Sequence, residues 1–240
     1  MGFNNTNDTN PFGYVDEHRI AQALPEAMQQ TYSWMGLGLL LTAVVAWFSQ
    51  GLLISVLQAF PYAMFVAFGI ELAIVWWLSA RIMTLQPEIA LAGFLGYAAI
   101  NGFTMAFVFL VYELGSVGLV FGITVVMFGT MSLVGYTTKT DLSSWGSYLM
   151  MGVIGVIAAS IGNFWLQSPM VHWVVSYAGV AIFLGLTIYD TQKIKNMTIW
   201  ALKTGDEQNL RRVGVRGALS LYLDFINLFL FLLRILGRRR

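Results

Sequence analysis

Cysteine is absent from the chain, which excludes disulfides and thiolate chemistry and leaves the redox compartment open. Histidine occurs only as His18, in the opening polar stretch, and as His172 far downstream, so a histidine metal site has no support. Charge is scarce. Lys, Arg, Asp and Glu form 10% of the 240 residues, against about 25% in an ordinary globular domain, while apolar residues form 58%. A water-facing surface for a protein of this length cannot be built from 13 basic and 12 acidic side chains. Lipid needs no such surface, and a helix crosses its core with about 20 mainly apolar residues.

Other absences narrow the chemistry. There is no His-Glu-x-x-His, no Gly-x-Ser-x-Gly and no P-loop, so an enzyme is not expected. An intramembrane aspartyl protease is only half matched, by Tyr189-Asp190, because Asp224 stands in Leu-Asp-Phe. No lysine lies within the last apolar segment, as a retinal protein would require. The basic stretch 191–216 lacks aromatic stacking partners beyond Trp200, so no nucleic acid is expected as a partner. The first 30 residues are polar and slightly acidic, with no basic start running into an apolar core. The first span is therefore expected to act as its own insertion signal.

What remains is a row of apolar segments. They cover 29–49, 59–84, 89–112, 116–138, 144–166, 170–196 and 217–236, joined by short turns. Runs of this length without alternation are helices rather than barrel strands. The expectation is an all-α polytopic membrane protein: a polar tail over 1–28, a seven-helix domain over 29–236 and a basic tail over 237–240. The Gly118/Gly122 spacing, and Gly152, Gly155 and Ala159, read as close helix-packing positions.

Basic residues orient the set. Turns after the second, fourth and sixth spans carry Arg81, Lys139 and six basic residues between 193 and 216; the alternate turns carry none. The even turns, and with them the amino terminus, are expected in the cytoplasm. Arg238, Arg239 and Arg240 then pose a conflict, because seven crossings place them outside. Either the last segment dips in and returns, or the earlier helices fix a topology that translocates a basic tail.

Acids inside a membrane are rare and face a bundle interior or a water-filled cavity. Asp224 lies about eight residues, or roughly 12 Å, into its helix. Ser220, Asp224, Asn227 and Arg234 recur as one polar stripe, which should face protein. Asp190 ends the sixth span at a comparable depth on a potentially neighbouring helix. Two carboxylates meeting in a dry site resist double ionisation, so the pair could share a proton and sense pH; as a bland alternative, either could serve only as structural glue. Arg81 could pair with either Asp or snorkel to lipid phosphates. Glu71, about 15 Å deeper, is either neutral or served by another helix. Asn101, with Gly93, Tyr97 and Thr104, makes a polar and small stripe that reads first as helix packing and second as a pathway lining.

Two stretches carry a resemblance. Residues 218–229, Ala-Leu-Ser-Leu-Tyr-Leu-Asp-Phe-Ile-Asn-Leu-Phe, together with Gly237, and residues 185–194, Gly-Leu-Thr-Ile-Tyr-Asp-Thr-Gln-Lys-Ile, resemble the bacterial branch of the Bax inhibitor family of transmembrane proteins. The resemblance implies a fold with the last helix central, enclosed by the other six. It also implies a pH-sensitive calcium leak channel in the bacterial inner membrane, with no tightly bound cofactor and calcium as the transported ion. Asp190 and Asp224 would form the pH sensor and closure latch, with Arg81 as the basic residue that engages Asp190, and Glu71 would match an acid of the same helix. Two Asp residues with Asn227 and carbonyls would hold calcium only weakly and in transit. Rival readings are a proton-coupled transporter, with Glu71 as a second proton station, and a non-transporting regulator of a membrane partner such as a protease. The partners expected are lipid, calcium and protons. A helix enclosed by its own chain suggests a monomer.

Overall fold

The computed structural model describes residues 17–240. The chain forms α1 (Glu17–Phe48), α2 (Gln50–Ala59), α3 (Ala63–Arg81), α4 (Pro87–Val111), α5 (Leu114–Thr137), α6 (Trp145–Leu166), α7 (Pro169–Thr204) and α8 (Glu207–Leu236). Seven of these, all except α2, are long and apolar enough to cross a membrane. The protein is an all-α polytopic membrane protein.

Local chemistry sets the ends. Pro87 and Pro169 open α4 and α7 at positions where a missing amide costs nothing. Gly205 stops α7 in the left-handed region, at φ 66°, and Asp206 at once caps α8 by accepting from the Asn209 amide at 3.0 Å. This stop-and-start pair makes an antiparallel hairpin and corrects the expected polar loop over 191–216, which is helical on both sides of Gly205. Of the expected polar tail over 1–28, residues 17–28 belong to α1, which begins at Glu17, and residues 1–16 lie outside the described residues. The expected turn after Ser49 is in fact the short helix α2, anchored on α4 through buried Leu53.

α8 is central. Its buried side chains include Leu221, Tyr222, Asp224, Phe225, Ile226, Leu228 and Phe229, which together span about 200° of its circumference at 100° per residue. Its packed neighbours are α1, α4, α5 and α7. The expected enclosure by six helices is therefore corrected to four. α3 leans on α4 and α2, and α6 leans on α7. α6 buries Val156 alone, and its Phe164 and Trp165 face outward, a surface suited to hydrocarbon.

The close helix approaches differ from expectation in part: a Cβ at Gly152 would come within 3.0 Å of Ile182 on α7, as a packing position should. A Cβ added at Gly118, Gly122 or Gly155 would meet nothing within 4 Å. At Gly102 it would come within 2.7 Å of the Thr42 carbonyl, and at Gly135 it would strike the Ile188 carbonyl. These two glycines let α1 meet α4 and α5 meet α7.

Both ends of α8 are tied, at opposite ends of α4. At its start Arg212 Nε donates to the Leu85 carbonyl at 2.8 Å, and Arg211 pairs with Glu88 at 3.7 Å. At its finish the tail lies antiparallel to the α4–α5 turn: Glu113 N donates to the Arg238 carbonyl at 3.0 Å and Arg240 N to the Val111 carbonyl at 3.0 Å. The Arg238 amide also donates to Ser116 Oγ at 2.9 Å. α4 has 25 residues, or about 37 Å, more than the hydrocarbon thickness of about 30 Å. α8 thus runs the full length of α4, and its basic tail lies at the end of the bundle opposite Arg81 and Lys139.

The cysteine-free chain makes this directly testable. Single cysteines at Lys139 and at Arg240 should react with a membrane-impermeant maleimide from opposite faces of sealed vesicles. Labelling of both from one face would restore a re-entrant last segment.

Candidate functional site

The α7–α8 hairpin brings Asp190 and Asp224 together. Ser220 and Asp224 are one turn apart on α8, and the Ser220 hydroxyl lies beside the Asp190 carboxyl. Asp224 is next to Asp190, close enough for the Asp190 charge to bear on it. Asp224 is only 4% exposed, and its Oδ2 has no hydrogen-bond partner among the described residues. Asp190 is partly exposed. A bare carboxylate withdrawn from water costs several kcal/mol, and a second one beside it raises the cost. The arrangement therefore calls for a proton, a cation or a movement of one helix.

The cations near Asp190 are Lys193 on its own helix and Arg216 on α8. Arg81 is exposed at the end of α3, and the latch contact with Asp190 is not made in this structure. The α3 helix packs on α4 and α2, which keeps Arg81 to the outside. Asn227 spends its amide on its own helix, donating to the Leu223 carbonyl at 2.8 Å. Among the described residues no group of three His, Cys, Asp or Glu side chains gathers. Two carboxylates fall short of the six to eight oxygens that a calcium cage supplies.

The residues after Asp190 anchor its helix, and the sequence did not single them out. Thr191 Oγ1 hydrogen-bonds Ser132 Oγ of α5 at 3.1 Å, and Ser132 in turn bonds the Tyr32 hydroxyl of α1. Gln192 spans the α5–α6 turn, accepting from the Leu142 amide at 2.9 Å and donating to the Thr140 carbonyl at 2.7 Å. Lys195 Nζ donates to the Tyr136 carbonyl at 2.7 Å. With Gly135 admitting the α7 backbone, these contacts hold the Asp190 turn against α5.

A second polar group lies on the other side of α8. Glu71, 6% exposed, accepts from Thr104 Oγ1 at 2.6 Å, so another helix does serve it. Asn101 Oδ1, buried one turn earlier on α4, has no partner among the described residues. Tyr97 sits edge-on to Tyr222, ring centroids 6.1 Å apart, and the Tyr222 hydroxyl bonds Thr42 at 2.7 Å. Tyr222 and Asp224 are two residues apart, a rotation of about 200°. α8 therefore shows one face to the Glu71 group and the opposite face to Asp190; Glu71 and Asn101 are not brought to the Asp pair.

The family model described as inhibitor of apoptosis-promoting Bax1 matches residues 24–240. The inner membrane protein YbhL of Escherichia coli K12 is 48% identical over 218 residues, covering 89% of this chain and 92% of YbhL. An uncharacterized protein of Borreliella burgdorferi is 39% identical over 219 residues, 89% of this chain and 92% of that protein. One of Deinococcus radiodurans is 38% identical over 211 residues, 87% and 88% of the two chains.

Thr104 is the one hydrogen-bond partner of the Glu71 carboxyl among the described residues. Thr104→Val keeps the shape and removes the donor, and should cost about 1–3 kcal/mol of stability. Denaturation in micelles measures this, and an unchanged transition would mean that Glu71 does not depend on Thr104.

Proposed function

This chain belongs to the Bax inhibitor family, and on that premise we propose that it is a calcium-permeable leak channel whose flux is governed by the Asp190–Asp224 pair. The observation that carries the reading is the unpartnered Asp224 Oδ2, buried on the central helix within reach of the charge of Asp190 on α7. A proton shared by the pair removes its repulsion. Loss of that proton leaves two negative groups that either draw in a cation or separate. α8 holds four of the other helices together, so displacement at Asp224 reaches the whole bundle. Phe183 of α7 and Phe225 and Phe229 of α8 are buried, and apolar packing of this kind passes no ion until it opens. Two carboxylates suit weak binding in transit rather than storage. Closure through Arg81 requires α3 to shift inward, since its guanidinium is outside.

The setting follows the same premise. The relative YbhL is named for the inner membrane, and the same location is proposed here, with the amino terminus in the cytoplasm beside Arg81 and Lys139. The central helix is supplied by the chain itself, so a monomer suffices. A proton-coupled transporter is the second reading, favoured by buried Glu71 with its Thr104 donor and the free Asn101 Oδ1 nearby. Saturable, gradient-driven uptake marks that reading, and a passive leak does not saturate in the same way. A regulator of a membrane protease or similar partner would show no flux at all.

Calcium entry into liposomes containing the purified protein should vary across about pH 6 to 8, no more steeply than about tenfold per pH unit if one proton controls it. Asp190→Asn and Asp224→Asn should each flatten that dependence. Flux no greater than in empty liposomes, with the protein folded, would eliminate the channel.

A further inference from the structure

A cleft of about 690 Å³ opens sideways between α1 and α5. Met35 and Leu39 of α1, Phe121 and Val125 of α5 and Phe225 of α8 line its deep part. The α5 wall runs from Phe121 to Tyr136, about 22 Å at 1.5 Å per residue, which is longer than one leaflet's share of the hydrocarbon, about 15 Å. Spread over that length, the volume gives a mean cross-section of about 31 Å². A helix 10 Å across needs about 80 Å², so a helix from a second copy does not fit. A single hydrocarbon chain, roughly 4–5 Å across at carbon contact distances, does.

The polar groups gather at one end. Gln29, Tyr32, Ser132 and Tyr136 line the part nearest the basic turns. Lys195 of α7 stands just outside this lining, its ammonium 5.1 Å from the centroid of the Tyr136 ring that closes the end of the cleft. One of its three donors goes to the Tyr136 carbonyl at 2.7 Å, which leaves two. Pro25, also at this end, lacks an amide for the Ala21 carbonyl one turn back in α1. The gradient along the cleft is thus that of an amphiphile lying along the membrane normal, with an anionic head at Lys195 and hydrocarbon below.

We propose that this cleft binds one phospholipid with an anionic headgroup, an acyl chain seated between α1 and α5 and the phosphate on the Lys195 ammonium. The site is independent of whether ions cross the protein. Its floor meets the Ser132–Thr191 contact, so an occupant would lean on the turn that carries Asp190.

The test is native mass spectrometry of the protein after transfer from nanodiscs of equal phosphatidylglycerol and phosphatidylcholine. Wild type should retain one phosphatidylglycerol. Gly129 lines the cleft, and a Cβ there meets nothing within 4 Å; Gly129→Phe should cut retention at least about tenfold without lowering the melting temperature. Val125→Trp, a second filling change at an exposed position, should act in the same direction. Lys195→Gln should keep a lipid but lose the preference for the anionic one. Gly122→Phe, on the shallow groove elsewhere on α5, should change nothing. Retention unchanged in both filling variants, or lost equally in Gly122→Phe, overturns the proposal, the latter by making the lipid merely peripheral. A wild-type dimer that Gly129→Phe breaks, with no lipid retained in either, overturns it in favour of a second copy.

Discussion

A carboxyl group that must stand inside a membrane has to be surrounded by protein, and Asp224 imposes that condition on the helix that carries it. With Ser220 it points α8 at Asp190, while Tyr222 points the opposite face at Thr42 and Tyr97. A helix with polar commitments on two faces cannot lie against lipid on either. Packing by α1, α4, α5 and α7 follows from that need. The remaining crossings, α3 and α6, carry few buried side chains and complete the wall toward hydrocarbon.

The Asp190 turn is held differently. It depends on Thr191, Gln192 and Lys195 gripping α5 and the turn beyond it, and on Gly135 giving room. Three successive directions around α7 are thereby used: one to α8, one to α5 and one to the α5–α6 turn. The carboxyl pair joins a rigidly anchored partner on α7 to a partner on the central helix. That asymmetry makes α8, rather than the Asp190 turn, the element whose displacement would be felt across the bundle.

Much of this was legible in the sequence because a bilayer demands long apolar runs, and seven such runs are plain. The depth of Asp190 and Asp224 was legible for the same reason: they interrupt those runs at matching distances from the basic side. The extent of α7 and α8 was obscured because polarity over 191–216 reads as loop, although Gly205-Asp206 is a helix stop followed by a helix start. α2 was hidden by its length, too short to cross. Gly118 and Gly122 have the spacing of a packing motif, but spacing cannot show that no neighbour stands opposite, whereas Gly102 and Gly135 do meet backbone. Arg81 has the right depth and the wrong direction, and direction depends on which helix α3 leans against. Gln192 was out of reach since its partners are backbone groups some 50 positions away.

The pinned carboxyl terminus has a consequence for biogenesis. The helix around which the others are arranged is made after α1 to α7, and the bridge between Arg239 and Tyr112 ties its far end to the α4–α5 turn. Domains fold from the amino-terminal end during synthesis, so α1 to α7 must wait in the bilayer with their shared face uncovered. Arg238, Arg239 and Arg240 must then reach the end of the bundle opposite Arg81 and Lys139. Arg238 and Arg240 then meet the α4–α5 turn, and without those residues α8 would keep its helix and lose that tie.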